Sequence, residues 1–134
     1  MIDFNNEVFT TVATAVRDNH AGITVTGEYT RRPSKFPAVT LDEVSNVMVG
    51  WLEDSSNEEK FAGVTYRLQV FSNKQSGKKA EARGIFATAD AEMRRLGFRS
   101  MTYAVTPEIY DSTIYTITAT YEAIVSTEGY VYAR

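Results

Sequence analysis

Two apolar spacings divide this chain. Ala82, Ile85, Phe86, Ala89, Met93 and Leu96 recur at helical spacing, which predicts an amphipathic helix over residues 77–96. A second stripe of Phe4, Val8, Phe9, Val12, Ala13 and Val16 predicts an earlier helix, with Asp3 placed to cap its start and residues 19–22 to end it. Elsewhere the period is two. Val64, Tyr66, Leu68 and Val70 alternate with Thr65, Arg67 and Gln69 over residues 61–72. Over residues 113–125, Tyr115, Ile117, Ala119, Tyr121, Ala123 and Val125 alternate with Thr116, Thr118, Thr120 and Glu122. Both stretches read as strands with one apolar and one polar face.

The ends of the second helix carry their own signals. Ser76 is placed to cap its start. Gly97 stands where a left-handed stop is wanted, and Phe98 can fold back over the last turn. Arg94 and Arg95 suit the negative end of the helix dipole, whereas Lys78 and Lys79 oppose the positive end.

Weaker strands are expected at residues 23–29, 38–44 and 99–106, with Arg31, Arg32, Pro33, Ser34 and Lys35 forming a basic turn. Residues 46–52 are apolar on both sides of a strand, with Val47, Val49 and Trp51 facing one way and Met48 and Leu52 the other. That pattern fits either a strand buried on both faces or a projecting hairpin arm that meets another subunit; a helix is a third reading. The acidic stretch of residues 53–59 reads as an exposed loop. The final strand, at about 3.4 Å per residue, would span roughly 44 Å. A compact domain of this length is only about 37 Å across, so this strand is expected to bend, bulge or overhang. The tail containing Tyr130 and Tyr132 is too aromatic for a solvated linker and is expected to pair with something.

The order helix, four strands, helix, two strands predicts an α+β domain of two layers. Its sheet is mainly antiparallel or mixed, with both helices across one face. A single domain is expected over residues 1–134, with a projecting hairpin at 46–60 and a C-terminal arm at 126–134. Its 134 residues suffice for one core. No cysteine is present, which excludes disulfides and thiolate metal sites, and there is one histidine. The formal charge of −3 argues against a primary nucleic-acid binder. No apolar run reaches about 18 residues, and the N-terminus lacks the basic start of a secretion signal, so a soluble protein without membrane contact is expected.

Candidate chemistry is sparse. His20, at the end of the first helix, suits that helix terminus better than catalysis. Glu53, Asp54, Glu58 and Glu59 lack the regular ligand spacing of a calcium loop. Ser76-Gly77-Lys78-Lys79 lacks the upstream glycine of a phosphate loop and has Lys79 where that loop needs Ser or Thr. No nucleophile, metal or cofactor motif is found, and no enzymatic activity is expected. Tyrosines cluster in the last quarter, and tyrosine is a common interface anchor. The residues singled out for subunit or partner contact are Val47, Val49, Trp51, Glu53, Asp54, Glu58, Glu59, Lys74, Lys78, Lys79, Arg99, Tyr121, Tyr130 and Tyr132.

Several short stretches share an order and spacing: Phe36-Pro37-Ala38-Val39 with Glu43, Tyr66 through Val70-Phe71-Ser72-Asn73, Gly77-Lys78-Lys79-Ala80-Glu81, Leu96-Gly97-Phe98-Arg99, Ile114-Tyr115 and Tyr121-Glu122-Ala123. In this the chain resembles the tail terminator, or head–tail joining, proteins of long-tailed bacteriophages over about residues 30–126. The resemblance implies a small α+β subunit of a hexameric ring in the virion, made in the host cytoplasm. It implies a ring that caps the tail tube, stops its polymerisation and docks the head connector. DNA would pass through without specific binding, and no cofactor is implied. Six copies at −3 would give a ring of about −18, a sign that lets DNA slide. The competing expectation is a small anion- or nucleic-acid-binding domain using Arg31, Arg32, Lys35, Lys74, Lys78 and Lys79.

Overall fold

The computed structural model of the chain describes residues 5–29, 33–48, 61–106, 113–126 and 131–132. The elements are α1 (Asn5–Asn19), β1 (Thr24–Thr26), β2 (Ala38–Met48), β3 (Phe61–Ser72), α2 (Lys78–Arg95), β4 (Arg99–Thr106), β5 (Tyr115–Ser126) and β6 (Val131–Tyr132). They form an α+β domain with a mixed sheet of order β1-β2-β3-β5-β4, and β6 adds to β5. Among the described residues only β1 and β2 run parallel, and the other pairs are antiparallel. The expected fold class therefore stands.

The period-two stretches account for the core. Ala62, Val64, Tyr66, Leu68 and Val70 of β3 are buried, as are Ile117, Ala119, Tyr121, Ala123 and Val125 of β5. Register pairs Tyr66 with Tyr121 and Leu68 with Ala119, so these side chains share one face. Val8, Val12 and Val16 of α1 and Ala82, Ile85, Ala89 and Met93 of α2 close over that face in a single cluster. Leu68, Ile85, Met93 and Ile117 are each essentially inaccessible, and a fully buried side chain of that size stabilises by roughly 1.5–3 kcal/mol.

The stop of α2 follows its sequence signal. Gly97 has φ 101°, with its amide bonded to the Arg94 carbonyl at 3.0 Å and the Phe98 amide bonded to the Met93 carbonyl at 3.0 Å. These two bonds satisfy carbonyls that the helix end would leave bare. Phe98 is thereby delivered into the core, edge-on to Tyr66 with ring centroids 5.3 Å apart. Gly97→Ala is expected to cost about 1–2 kcal/mol, because a Cβ is disfavoured at that φ. Urea unfolding should show a lower midpoint with an unchanged slope.

Three expectations are corrected. Ser76 does not cap α2; the cap is Gly77 at φ 89°, with no side-chain bond, and the first turn is instead held by Glu81, which accepts the Ser72 hydroxyl at 2.6 Å. Residues 38–44 and 46–48 are not separate strands but one, because a bulge at Val44 lets β2 stay in register with β3 on both sides of it. The strand expected over 23–29 shortens to Thr24–Thr26.

The long last strand overhangs rather than breaking. β5 pairs with β3 without interruption, while the bulges fall on its neighbour β4 and on β2, the strand beyond β3. β4 begins opposite Glu122, and past that point β6 takes the freed edge, pairing Ile124 with Tyr132 and Val125 with Val131. Val131 and Tyr132 of the tail thus join their own sheet.

Candidate interaction surfaces

The sheet face away from the helices is covered differently. Thr-rich strands place short β-branched polar side chains there, and cross-strand bonds join them: Thr40 to Gln69 at 3.1 Å and Thr102 to Thr120 at 2.6 Å. At its centre Arg67 donates to both carboxylate oxygens of Asp42, at 2.7 and 3.2 Å, and the Tyr29 ring stacks 4.0 Å from the guanidinium. A small apolar cluster of Ala38, Phe71 and Ile114, with Phe36, closes one end of this face.

The two long edges of the sheet are less well covered. α2 lies over β3 and β5 and barely reaches β4. Tyr103 and Val105 of β4 sit in register with Ala119 and Ile117, hence on the helix side, yet remain 48% and 46% exposed. Tyr103 touches only the margin of α2, meeting the Phe86 ring edge-on at 5.0 Å. The same margin of α2 carries Asp90, which accepts the Tyr121 hydroxyl at 2.6 Å and Arg94 Nε at 2.9 Å. Helical spacing puts Arg83 and Lys79 on this stripe, both exposed, giving the β4 flank a positive rim.

At the opposite edge, β1 pairs with β2 only as far as Thr40. Beyond it, Val44 at the bulge and Val47 are 51% and 61% exposed, and Tyr29 nearby is 48% exposed. The charges around them are mixed: Glu28 is exposed, Glu43 is half-buried and accepts a weak 3.4 Å bond from the Tyr66 hydroxyl, and Arg67, paired with Asp42, stacks on the Tyr29 ring.

The residues singled out from sequence are dispersed. Val47 is exposed as expected of a contact residue. Lys74, Lys78 and Lys79 gather at the start of α2, whereas Arg99 stands beyond its other end, opposite Glu122, about 27 Å of helix away. Lys35, from the competing anion-binding expectation, is exposed just before β2, at the end of the sheet where β3 finishes and Lys74 follows. Val49, Trp51, Glu53, Asp54, Glu58, Glu59 and Tyr130 lie outside the described residues, as do Arg31 and Arg32. The backbone of Tyr132 is engaged by β5.

Tyr121 is a correction. It is fully buried beneath α2 and bonded to Asp90, so it is a core residue and not a contact for a partner. Burial, followed by its bond to Asp90, pushes its hydroxyl well above the ordinary tyrosine range. Alternation showed correctly which face Tyr121 occupies, but only the position of α2 reveals that this face is closed at that point. The contact-competent residues that sequence reasoning missed, Tyr103 and Val105, lie on the weakest of the expected strands.

His20 joins the two helices, its Nε2 lying 2.9 Å from Thr88 Oγ1. Among the described residues no group of three His, Cys, Asp or Glu side chains is placed to hold a metal ion, and no helix is long and apolar enough to cross a membrane. Compared with known protein families and with characterised proteins, the sequence matches none of them.

Proposed function

We propose that the protein is a structural ring subunit of the tail-terminator type, which caps a phage tail tube and joins it to the head connector. The observation that carries this reading is the pair of exposed apolar patches on opposite edges of one sheet, Tyr103 with Val105 on β4 and Val44 with Val47 on β2. A subunit that closes a ring needs two different patches facing away from each other, whereas a two-fold dimer needs only one.

The segments that carry the resemblance support it further. They fall on several elements: residues 36–39 and 43 on and just before β2, 66–73 on and just past β3, 77–81 at the start of α2, 96–99 at its stop, and 114–115 with 121–123 at the start and within β5. They therefore lie mostly on β2, β3, β5 and the ends of the helix that lies across β3 and β5, not on a scattered set of loops. In this reading the protein works by shape and contact, with no reaction to catalyse.

The test is assembly. Sedimentation of the purified protein at increasing concentration should show association to a closed oligomer, six-membered by the resemblance, and negative-stain images should show rings that also bind isolated tail tubes. A protein that stays monomeric at all concentrations and never binds tubes is not a terminator. DNA affinity that rises steeply as salt is lowered would instead favour the anion-binding role of Lys35, Lys74, Lys78 and Lys79.

A further inference from the structure

We infer that the free edge of β4 is a strand-docking slot for a partner protein. Residues 102–106 take up an extended segment of that partner, antiparallel to β4, with carboxylates at the segment's N-terminal end and apolar side chains at alternate positions after them. The slot lies in the plane of the sheet and does not depend on ring closure, which calls only on the side chains of Tyr103 and Val105 at this flank.

Among the described residues, the rest of the sheet edge is short, covered or guarded. β1 is 3 residues long and covers the start of β2. The remaining edge of β2 carries Asp42, Glu43 and the bulge at Val44. β6, of 2 residues, takes the edge of β5 that β4 leaves. Short strands, bulges and charges are devices that keep a sheet edge from pairing with another chain. β4 has a bulge between Ser100 and Thr102, but beyond it Thr102, Tyr103, Ala104, Val105 and Thr106 include no charge and no proline, and they pair with β5 alone. This bare stretch extends for about 17 Å.

The slot fixes the chemistry of its occupant. A bare edge offers alternating amides and carbonyls, which a β-strand satisfies and a helix does not. On one side of such a strand, alternate side chains lie beside Tyr103 and Val105 and near the margin of Phe86, so apolar residues belong there. Charge sets the direction. Asp90 meets Tyr121, which is in register with Ser100, and Phe86 meets Tyr103, so α2 is antiparallel to β4 and its N-terminal turns lie towards Thr106. The exposed cations Arg83 and Lys79, earlier on the same stripe, therefore stand near the end where an antiparallel strand begins. Carboxylates that precede the apolar residues meet them there. A second copy does not supply such a strand from its described residues: its other edge is guarded, and two β4 edges paired together bring no carboxylate to the cations.

The probe is a fluorescein-labelled peptide of two glutamates followed by alternating valine and threonine, titrated with the full chain at concentrations where sedimentation shows monomer. Anisotropy should report saturable one-to-one binding. Placing the glutamates last, or reversing the cations with Lys79→Glu and Arg83→Glu together, should weaken binding by about tenfold. Val105→Lys should do the same by placing a charge on the edge. All three positions are exposed, so far-ultraviolet dichroism and the unfolding midpoint should match the parent. The backbone test is sharper. Of two peptides N-methylated at alternate amides in opposite phase, one should bind as the unmodified peptide does and the other not at all, because only one set of amides faces β4.

A peptide that does not bind, or that binds equally in both methylated phases, overturns the slot. A chain that binds the peptide but never self-associates keeps the slot and loses the ring. Rings that form and no longer take the peptide give the edge to a second copy, which overturns the separate partner and leaves the ring standing.

Discussion

Tyr121→Ala is expected to remove about 3–5 kcal/mol of folding stability, a large part of what a domain of this size has. The side chain has no exposure, faces Tyr66 across the β3–β5 pair, and ends in a 2.6 Å bond to Asp90 on α2. Truncation opens a cavity beneath the helix and leaves a carboxylate oxygen without its donor, and both penalties act together. Chemical unfolding should therefore show a much lower midpoint, or no folded population at all, in a protein never given the chance to assemble. If Tyr121→Ala leaves the monomer stable and impairs only oligomers, the residue faces a partner and the placement of α2 is wrong.

The second large effect is alkaline. Burial and the bond to Asp90 raise the Tyr121 hydroxyl above its ordinary value near 10 in the folded state. Below about pH 10 the hydroxyl is protonated in both states, and its contribution to stability is fully present. As pH rises further, the unfolded chain releases this proton while the folded chain keeps it, so stability falls by up to roughly 1.4 kcal/mol per pH unit. Tyr121→Phe keeps the buried ring without the titrating group. It should cost about 1 kcal/mol at neutral pH through the lost bond, and should flatten the fall in unfolding midpoint between about pH 10 and 11.5. An alkaline fall equally steep in the Phe variant would assign it to other groups.

These two effects change what the aromatic last quarter of the chain means. Tyrosines in an exposed alternating strand invite an interface reading, yet Tyr121 is a structural tie between β5 and α2. Tyr103, one strand away, is a surface tyrosine, left half bare because α2 does not reach the edge of the sheet. In the ring reading proposed above, assembly and stability draw on different tyrosines, and substitutions at the two positions should be separable in one set of measurements.

Local pattern determined a good deal by itself. The helical stripe from Ala82 to Leu96, its stop at Gly97 and the alternation of residues 61–72 and 113–125 specify two layers and the face each strand turns inward, because side-chain direction follows backbone period. The left-handed stop was legible because Gly97 is a residue that tolerates that φ without penalty. What local pattern could not determine was anything that depends on which element lies beside which. The strand order, the bulge that joins residues 38–44 to 46–48, and the return of Val131 and Tyr132 to their own β5 all depend on partners distant in sequence. The same limit governs the candidate surfaces: Tyr121 and Tyr103 occupy the same side of neighbouring strands. Only the position of α2 buries one and leaves the other open, since burial is a property of what covers a side chain and not of the side chain itself.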